Sequence, residues 1–170
     1  PYALTPDAFE VYLVREGTAL SFLEGDALTK SVQLSSTETG YTVEYSPRIS
    51  GVYSVHVELG GKPIKGAPFT QEILAGAINA RYSALSGIGA GQTLQEAIDS
   101  AKALQWMNLT INAADEYRNL NTFGGDSMKM FVQVVRVESN EEFTAAISDN
   151  GDGTYMASFM PTLTGTYTVL

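Results

Sequence analysis

The chain has 170 residues, a net charge of −9 and no cysteine. Its length suits one large domain or two small ones, and its charge disfavours nucleic acid and anionic membrane surfaces, which need clustered Lys and Arg. The missing thiols exclude disulfide frameworks, cysteine-based zinc sites and thiol catalysis, and no apolar run approaches the ~18 residues of a membrane-spanning helix.

Taken in chain order, the elements are mostly short strands. "AFEVYLV" (8–14) and "KSVQLSS" (30–36) are apolar and β-branched, and a long connection at 15–29 separates them. Tyr41, Val43 and Tyr45 alternate as a half-buried strand, which Pro47 ends because proline cannot donate to a ladder. Gly51 permits a corner, and Tyr53, Val55 and Val57 alternate again. "APFTQEIL" (67–74) and "ARYSAL" (80–85) follow, joined across a short connection at 75–79 that favours close packing of what it links.

"GQTLQEAIDSAKALQW" (91–106) breaks the pattern. Leu94, Ala97, Ile98, Ala101 and Leu104 fall at helical spacing, and Thr93 with Glu96 forms a capping box. The spacing predicts a short amphipathic helix over about 94–104, lying across one end of a sandwich. Trp106, at its junction with the next strand, is expected inside. Strands resume with "WMNLTINA" (106–113), "MKMFVQVVRV" (128–137) and "EFTAAIS" (142–148).

Overlaying the chain on itself shows a repeat. A shift of 114 residues puts Tyr41 on Tyr155, Tyr45 on Phe159, Pro47 on Pro161, Gly51 on Gly165, Tyr53 on Tyr167 and Val55 on Val169. These residue types fix backbone geometry, so their shared offsets indicate a shared corner. A tyrosine opening a strand just after a corner is the arrangement of the tyrosine corner of immunoglobulin-like sandwiches, with Tyr53 and Tyr167 as candidates. The fold class is therefore all-β: tandem immunoglobulin-like β-sandwiches with one short helical insertion in the second.

The residues also argue against several chemistries. "DNGDG" (149–153) places Asp, Gly and Gly at the first, third and fifth positions of a would-be calcium loop, so two of three ligands are absent and a positive-φ hairpin turn is expected. His56 is the only histidine and has no fellow ligand, and "GIGAG" (87–91) lacks the Lys-Ser/Thr of a phosphate loop. No carboxylate pair suggests acid–base catalysis. No cofactor, metal site or catalytic residue is predicted. Asn108-Leu109-Thr110 is a candidate N-glycosylation acceptor, with Asn108 facing out if Leu109 and Ile111 face in.

"DNGDGTYMASFMPTLTGTYTV" (149–169) resembles the filamin-type immunoglobulin-like repeat. "GVYSVHVELGGKPIKGAPFTQEIL" (51–74) is similar to that repeat's strands F and G. Asp115, Asn119, Thr122, Gly124, Gly125 and Asp126 stand where such repeats carry D-x-x-x-N-x-x-T-x-G-G-D, although Tyr117-Arg118-Asn119 departs from the usual Tyr/Phe-Gly-Asn. The resemblance implies a first repeat at 1–76 with strands C to G, and a second at 77–170 with strands A to F. Strands A and B of the first and G of the second would then come from a longer chain or another one. It further implies a non-enzymatic scaffolding rod, cytoskeletal or ciliary, that binds protein partners and neighbouring repeats. The alternatives are an extracellular adhesion module and an accessory binding domain of an enzyme, for which Trp106 would supply an aromatic face. Partner strands would add along strand C, in the groove toward D. The outward residues there are Lys129, Phe131, Gln133 and Val135, with Phe143 and Ala145 on the facing strand.

Overall fold

Alternation of apolar and polar side chains builds every principal strand. The computed structural model describes residues 9–17, 33–37, 40–87, 93–99 and 101–170. The chain divides into two units, Pro1–Leu74 and Ala75–Leu170. Within the second unit the Gly76 N–H donates to Asp115 Oδ2 at 2.8 Å.

In the first unit, β1 (Phe9–Arg15) pairs antiparallel with β4 (Gly51–Leu59), whose other edge carries β5 (Lys62–Pro63) and β6 (Phe69–Ile73). A separate hairpin joins β2 (Gln33–Thr37) to β3 (Gly40–Glu44). Tyr53 and Val55 are buried on the inner face of β4, with Leu13 opposite Val55 and Val11 opposite Val57. Phe9 stacks tilted on Tyr41 with ring centroids 4.6 Å apart, which ties β1 to the second sheet of this unit. Most of the long connection expected at 15–29 lies outside the described residues.

The second unit is a two-sheet sandwich. One sheet runs β11 (Ala146–Asp149), β12 (Thr154–Phe159), β8 (Met107–Asn112), β7 (Ala84–Ser86). The other runs β10 (Glu141–Thr144), β9 (Gln133–Arg136), β13 (Tyr167–Val169). Leu109 and Ile111 of β8, Tyr155, Ala157 and Phe159 of β12, and Val134 of β9 meet between the sheets, with Val132, Ala145 and Ala97. In order and pairing these are the two sheets of an immunoglobulin-like sandwich.

Four expectations need correction. The helix α1 spans Leu94–Asp99 only. Its capping box forms, with Thr93 N–H donating to Glu96 Oε2 at 2.8 Å and Glu96 N–H donating to Thr93 Oγ1 at 3.2 Å. Beyond it the chain uses i→i+3 turns, Leu104 adopts φ +62, and its N–H donates across the unit to Pro161 O at 2.7 Å. Trp106 is 66% exposed rather than packed inside. The strand expected at 80–85 is shortened to β7, because the Asn79 side chain and carbonyl bond to Arg81, Tyr82 and Ser83 and hold a turn. The strand expected at 128–137 begins only at Gln133, since Ser127–Lys129 form a 3-10 turn and Met128 is exposed.

Candidate interaction surface

The second unit holds most of the residues singled out in the sequence, and its loops explain where they stand. Asp115 is 2% exposed and accepts hydrogen bonds from the backbone N–H groups of Gly76, Tyr117 and Asn119 and from the Asn119 side chain, at 2.7–2.9 Å. Burial pushes its pKa up, but these four bonds to the charged form outweigh it, so the carboxyl lies below its ordinary value. The Asp115–Asn119 spacing is therefore a clamp on the loop after β8. Downstream, the Gly125 N–H donates to Asp149 Oδ2 at 2.6 Å and the Asp126 N–H to the Tyr155 hydroxyl at 3.2 Å. Asp149 also accepts from the Gly151 N–H at 2.8 Å. The "DNGDG" carboxylates thus hold turns, with Gly151 at φ +81 and Gly153 at φ +84. Among the described residues no cluster of three or more metal-ligating side chains occurs.

These ties change the expected strand-C groove. β9 is flanked on both sides: β10 takes one edge through Gln133–Thr144 to Arg136–Glu141, and β13 takes the other. The hairpin responsible turns at Val137–Asn140, where Asn140 has φ +53 and donates its N–H to Arg136 O at 2.8 Å. At Ala145 the chain crosses from one sheet to the other, donating its N–H to Val132 O at 2.9 Å before pairing β11 with β12. A partner strand therefore has no unpaired edge along Gln133–Arg136.

Phe143 and Ala145 face inward. The Phe143 ring lies 6.0 Å from Phe159 and 6.1 Å from Tyr167, and Ala145 is buried in the core. Ala145 is thus covered, and Phe143, half-buried, is turned toward the core. Gln133 bonds Glu142 across the β9–β10 pair. Val135 sits between Glu142 and Thr168 in register. Lys129 pairs with Asp126, whose carboxylate raises the ammonium pKa. Phe131 is 67% exposed, so of the expected apolar anchors it alone projects. Asn108 is half-buried, paired in β8 with Ser158 of β12.

A second opening was not legible in the sequence. A groove of about 700 Å³ lies between Ile78, Ala84 and Leu85 on one side and Met130–Val132 and Leu170 on the other, with Ile111 at its floor. The sequence signal for it was weak: the "GAINA" connection and the end of the chain are far apart and carry no shared motif.

The sequence model of the Filamin/ABP280 repeat matches residues 5–70 and 79–170, one match in each unit. The chain belongs to the filamin repeat family. Two filamin-C proteins, from Mus musculus and Rattus norvegicus, are each 27% identical to it over 175 residues. Those alignments cover 98% of this chain and 6% of either relative, so the chain spans a small fraction of their length. Among solved structures, the Escherichia coli adhesin FdeC matches with a TM-score of 0.49 at 16% identity, over 96% of this chain and 48% of that one. Domains 4 and 5 of the S-layer protein SbsC match with a TM-score of 0.29 at 18% identity, over 100% of this chain and 73% of that one. As a pair of filamin repeats, the chain is a structural module built from repeated sandwiches.

Proposed function

We propose that these two filamin repeats are a non-enzymatic scaffolding segment of a longer tandem-repeat rod, binding protein partners by packing and strand addition. The observation that carries this reading is that family matches and separately packed units coincide: one filamin repeat in each half of the chain. The surface chemistry is of the right kind. Phe131 and Met128 are both exposed, apolar groups that a free surface leaves costly and a partner covers. Lys129 and Asp126 line the same groove as Phe131, a polar rim that fixes orientation. The acidic net charge favours partners with basic or neutral faces.

The test is chemical cross-linking of the whole chain to captured partners, with mapping of the linked residues, in wild type and Phe131→Asp. The reading expects links around 126–131 that Phe131→Asp abolishes while circular dichroism and melting stay unchanged. A folded Phe131→Asp chain that retains every partner removes this surface from the function.

A further inference from the structure

The sheet β11-β12-β8-β7 closes the core with one face and turns the other to solvent. In β8, Leu109 and Ile111 are buried, so Asn108 and Thr110 alternate outward. Opposite them in register stand Ser158 and Met156 of β12, and beyond those Ala146 and Ser148 of β11. None of these six side chains is ionised, although the chain carries 10 basic and 19 acidic residues.

Trp106 immediately precedes β8. Continued one residue back, the alternation carries its side chain to the same outer face as Asn108, and it is 66% exposed. Side chains two residues apart on a strand stand about 7 Å from each other. A flat sugar ring linked to the Asn108 amide reaches the indole at that spacing. The amide itself is available. Asn112, further along β8, gives its Nδ2 to Ala84 O and Ser86 Oγ at 3.4 and 3.0 Å, whereas Asn108 makes no side-chain hydrogen bond among the described residues. Its neighbours across the ladder, Ser158 and then Ala146, are small, so bulk can rise from Asn108 without displacing a large side chain.

We infer that Asn108 is an N-glycosylation site whose first sugar packs on the Trp106 indole. Trp106-Met107-Asn108-Leu109-Thr110 sets three groups in a row on one face: the stacking ring, the acceptor amide and the hydroxyl that a glycosyltransferase reads two residues on. The donor is a polyprenyl-pyrophosphate oligosaccharide linked through N-acetylglucosamine. Asn108 Nδ2 attacks C1 of that sugar, and a C–N bond forms as the C1–O bond to pyrophosphate breaks. The lipid pyrophosphate leaves, and an amide proton passes to the transferase's base. The transfer takes place in the secretory pathway, on the extended chain, before β8 pairs with β12 and β7. After folding, the outward amide keeps the sugar off the core, and a neutral sugar covers an uncharged face without stripping water from an ion. Its stabilising contribution is the covering of a large exposed aromatic ring. The inference does not rest on the scaffold reading, which concerns Phe131 and leaves the compartment open.

The experiment takes the protein from its own cells and, beside it, the full 170-residue chain secreted from a eukaryotic host. Peptide mass mapping before and after peptide-N-glycosidase in heavy-oxygen water locates the sugar. The expected result in both is a single glycan, on Asn108. In the secreted chain Asn108→Gln and Thr110→Ala each remove it, and Thr110→Ser keeps it. Trp106 is the only tryptophan, so acrylamide quenching of intrinsic fluorescence reads the stacking alone. Quenching of the glycosylated chain is expected to be weaker than that of Asn108→Gln by about twofold or more. Should Asn108→Gln fold poorly, the secreted Thr110→Ala chain is the bare reference. An unmodified Asn108 in the native protein overturns the site, as does a folded, secreted chain with Asn108 bare. Equal quenching of the glycosylated and bare chains overturns the packing on Trp106.

Discussion

The Tyr167 hydroxyl donates to the carbonyl oxygen of Leu163, four residues back, at 2.8 Å. The Tyr53 hydroxyl makes the same bond to Ile49, also at 2.8 Å. The repeat is therefore geometric as well as sequential: each corner is closed by its own tyrosine. Tyr53 is fully buried and Tyr167 is only half-buried, so the two bonds differ in value. Tyr53→Phe removes the donor to the Ile49 carbonyl from beneath a fully buried ring and is expected to cost about 1–2 kcal/mol. Tyr167→Phe is expected to cost less, because water replaces the lost donor. Urea melts of the two variants, followed by probes specific to each unit, give the ordering.

Gly151 and Gly153 share positive φ but not surroundings. A Cβ on Gly153 would lie 2.1 Å from the Asn121 carbonyl oxygen, whereas one on Gly151 meets nothing within 4 Å. Gly151→Ala should cost only the backbone strain, about 1 kcal/mol. Gly153→Ala adds a backbone collision and should cost roughly 3 kcal/mol or more. Thermal melts of both variants check this, and equal losses would mean that the two loops are not in contact.

Asp115 makes the second unit sensitive to acid. Its folded pKa is depressed below the ordinary 3.8, so its contribution is fully present above that value and is lost as pH falls through the folded one. Asp115→Ala leaves two loop N–H groups and Gly76 without their acceptor and is expected to cost about 3 kcal/mol near neutrality. The gap between wild type and variant should stay level from about pH 5 to 8 and close below about pH 4. Denaturant titrations across that range measure it.

Phe143 and Phe131 separate core from surface. Phe143→Ala opens a gap against Phe159 and Tyr167 and should cost roughly 2–3 kcal/mol. Phe131→Ser should stay within about 0.5 kcal/mol of wild type, because the ring is already in water. Differential scanning calorimetry of the pair distinguishes them.

Residues with a single backbone use were the most legible in the sequence. Pro47, Pro161, Gly51, Gly165 and the two tyrosines announced the corners, and the Thr93/Glu96 pair announced the start of α1, since each forces a local geometry wherever it stands. Alternation also gave the inward faces of β8 and β12. It failed at 128–132, where Gly125 and the Asp126–Lys129 pair stabilise a 3-10 turn over the extended form that the apolar pattern suggests. It failed again at 141–149, which read as one strand and instead serves two sheets, because the crossing at Ala145 depends on tertiary pairing. Trp106 misled because hydrophobicity alone says nothing about which end of a strand emerges into solvent.

The central claim is that the chain holds two filamin repeats of one architecture, in which β4 and β13 are counterpart strands. Residue-resolved amide exchange of the whole, unliganded chain tests it most directly. The predicted result is slow exchange at Tyr53 and Val55, whose amides face β6, and at Thr168, whose amide faces β9. Fast exchange at Tyr53 and Val55, or at Thr168, would contradict it.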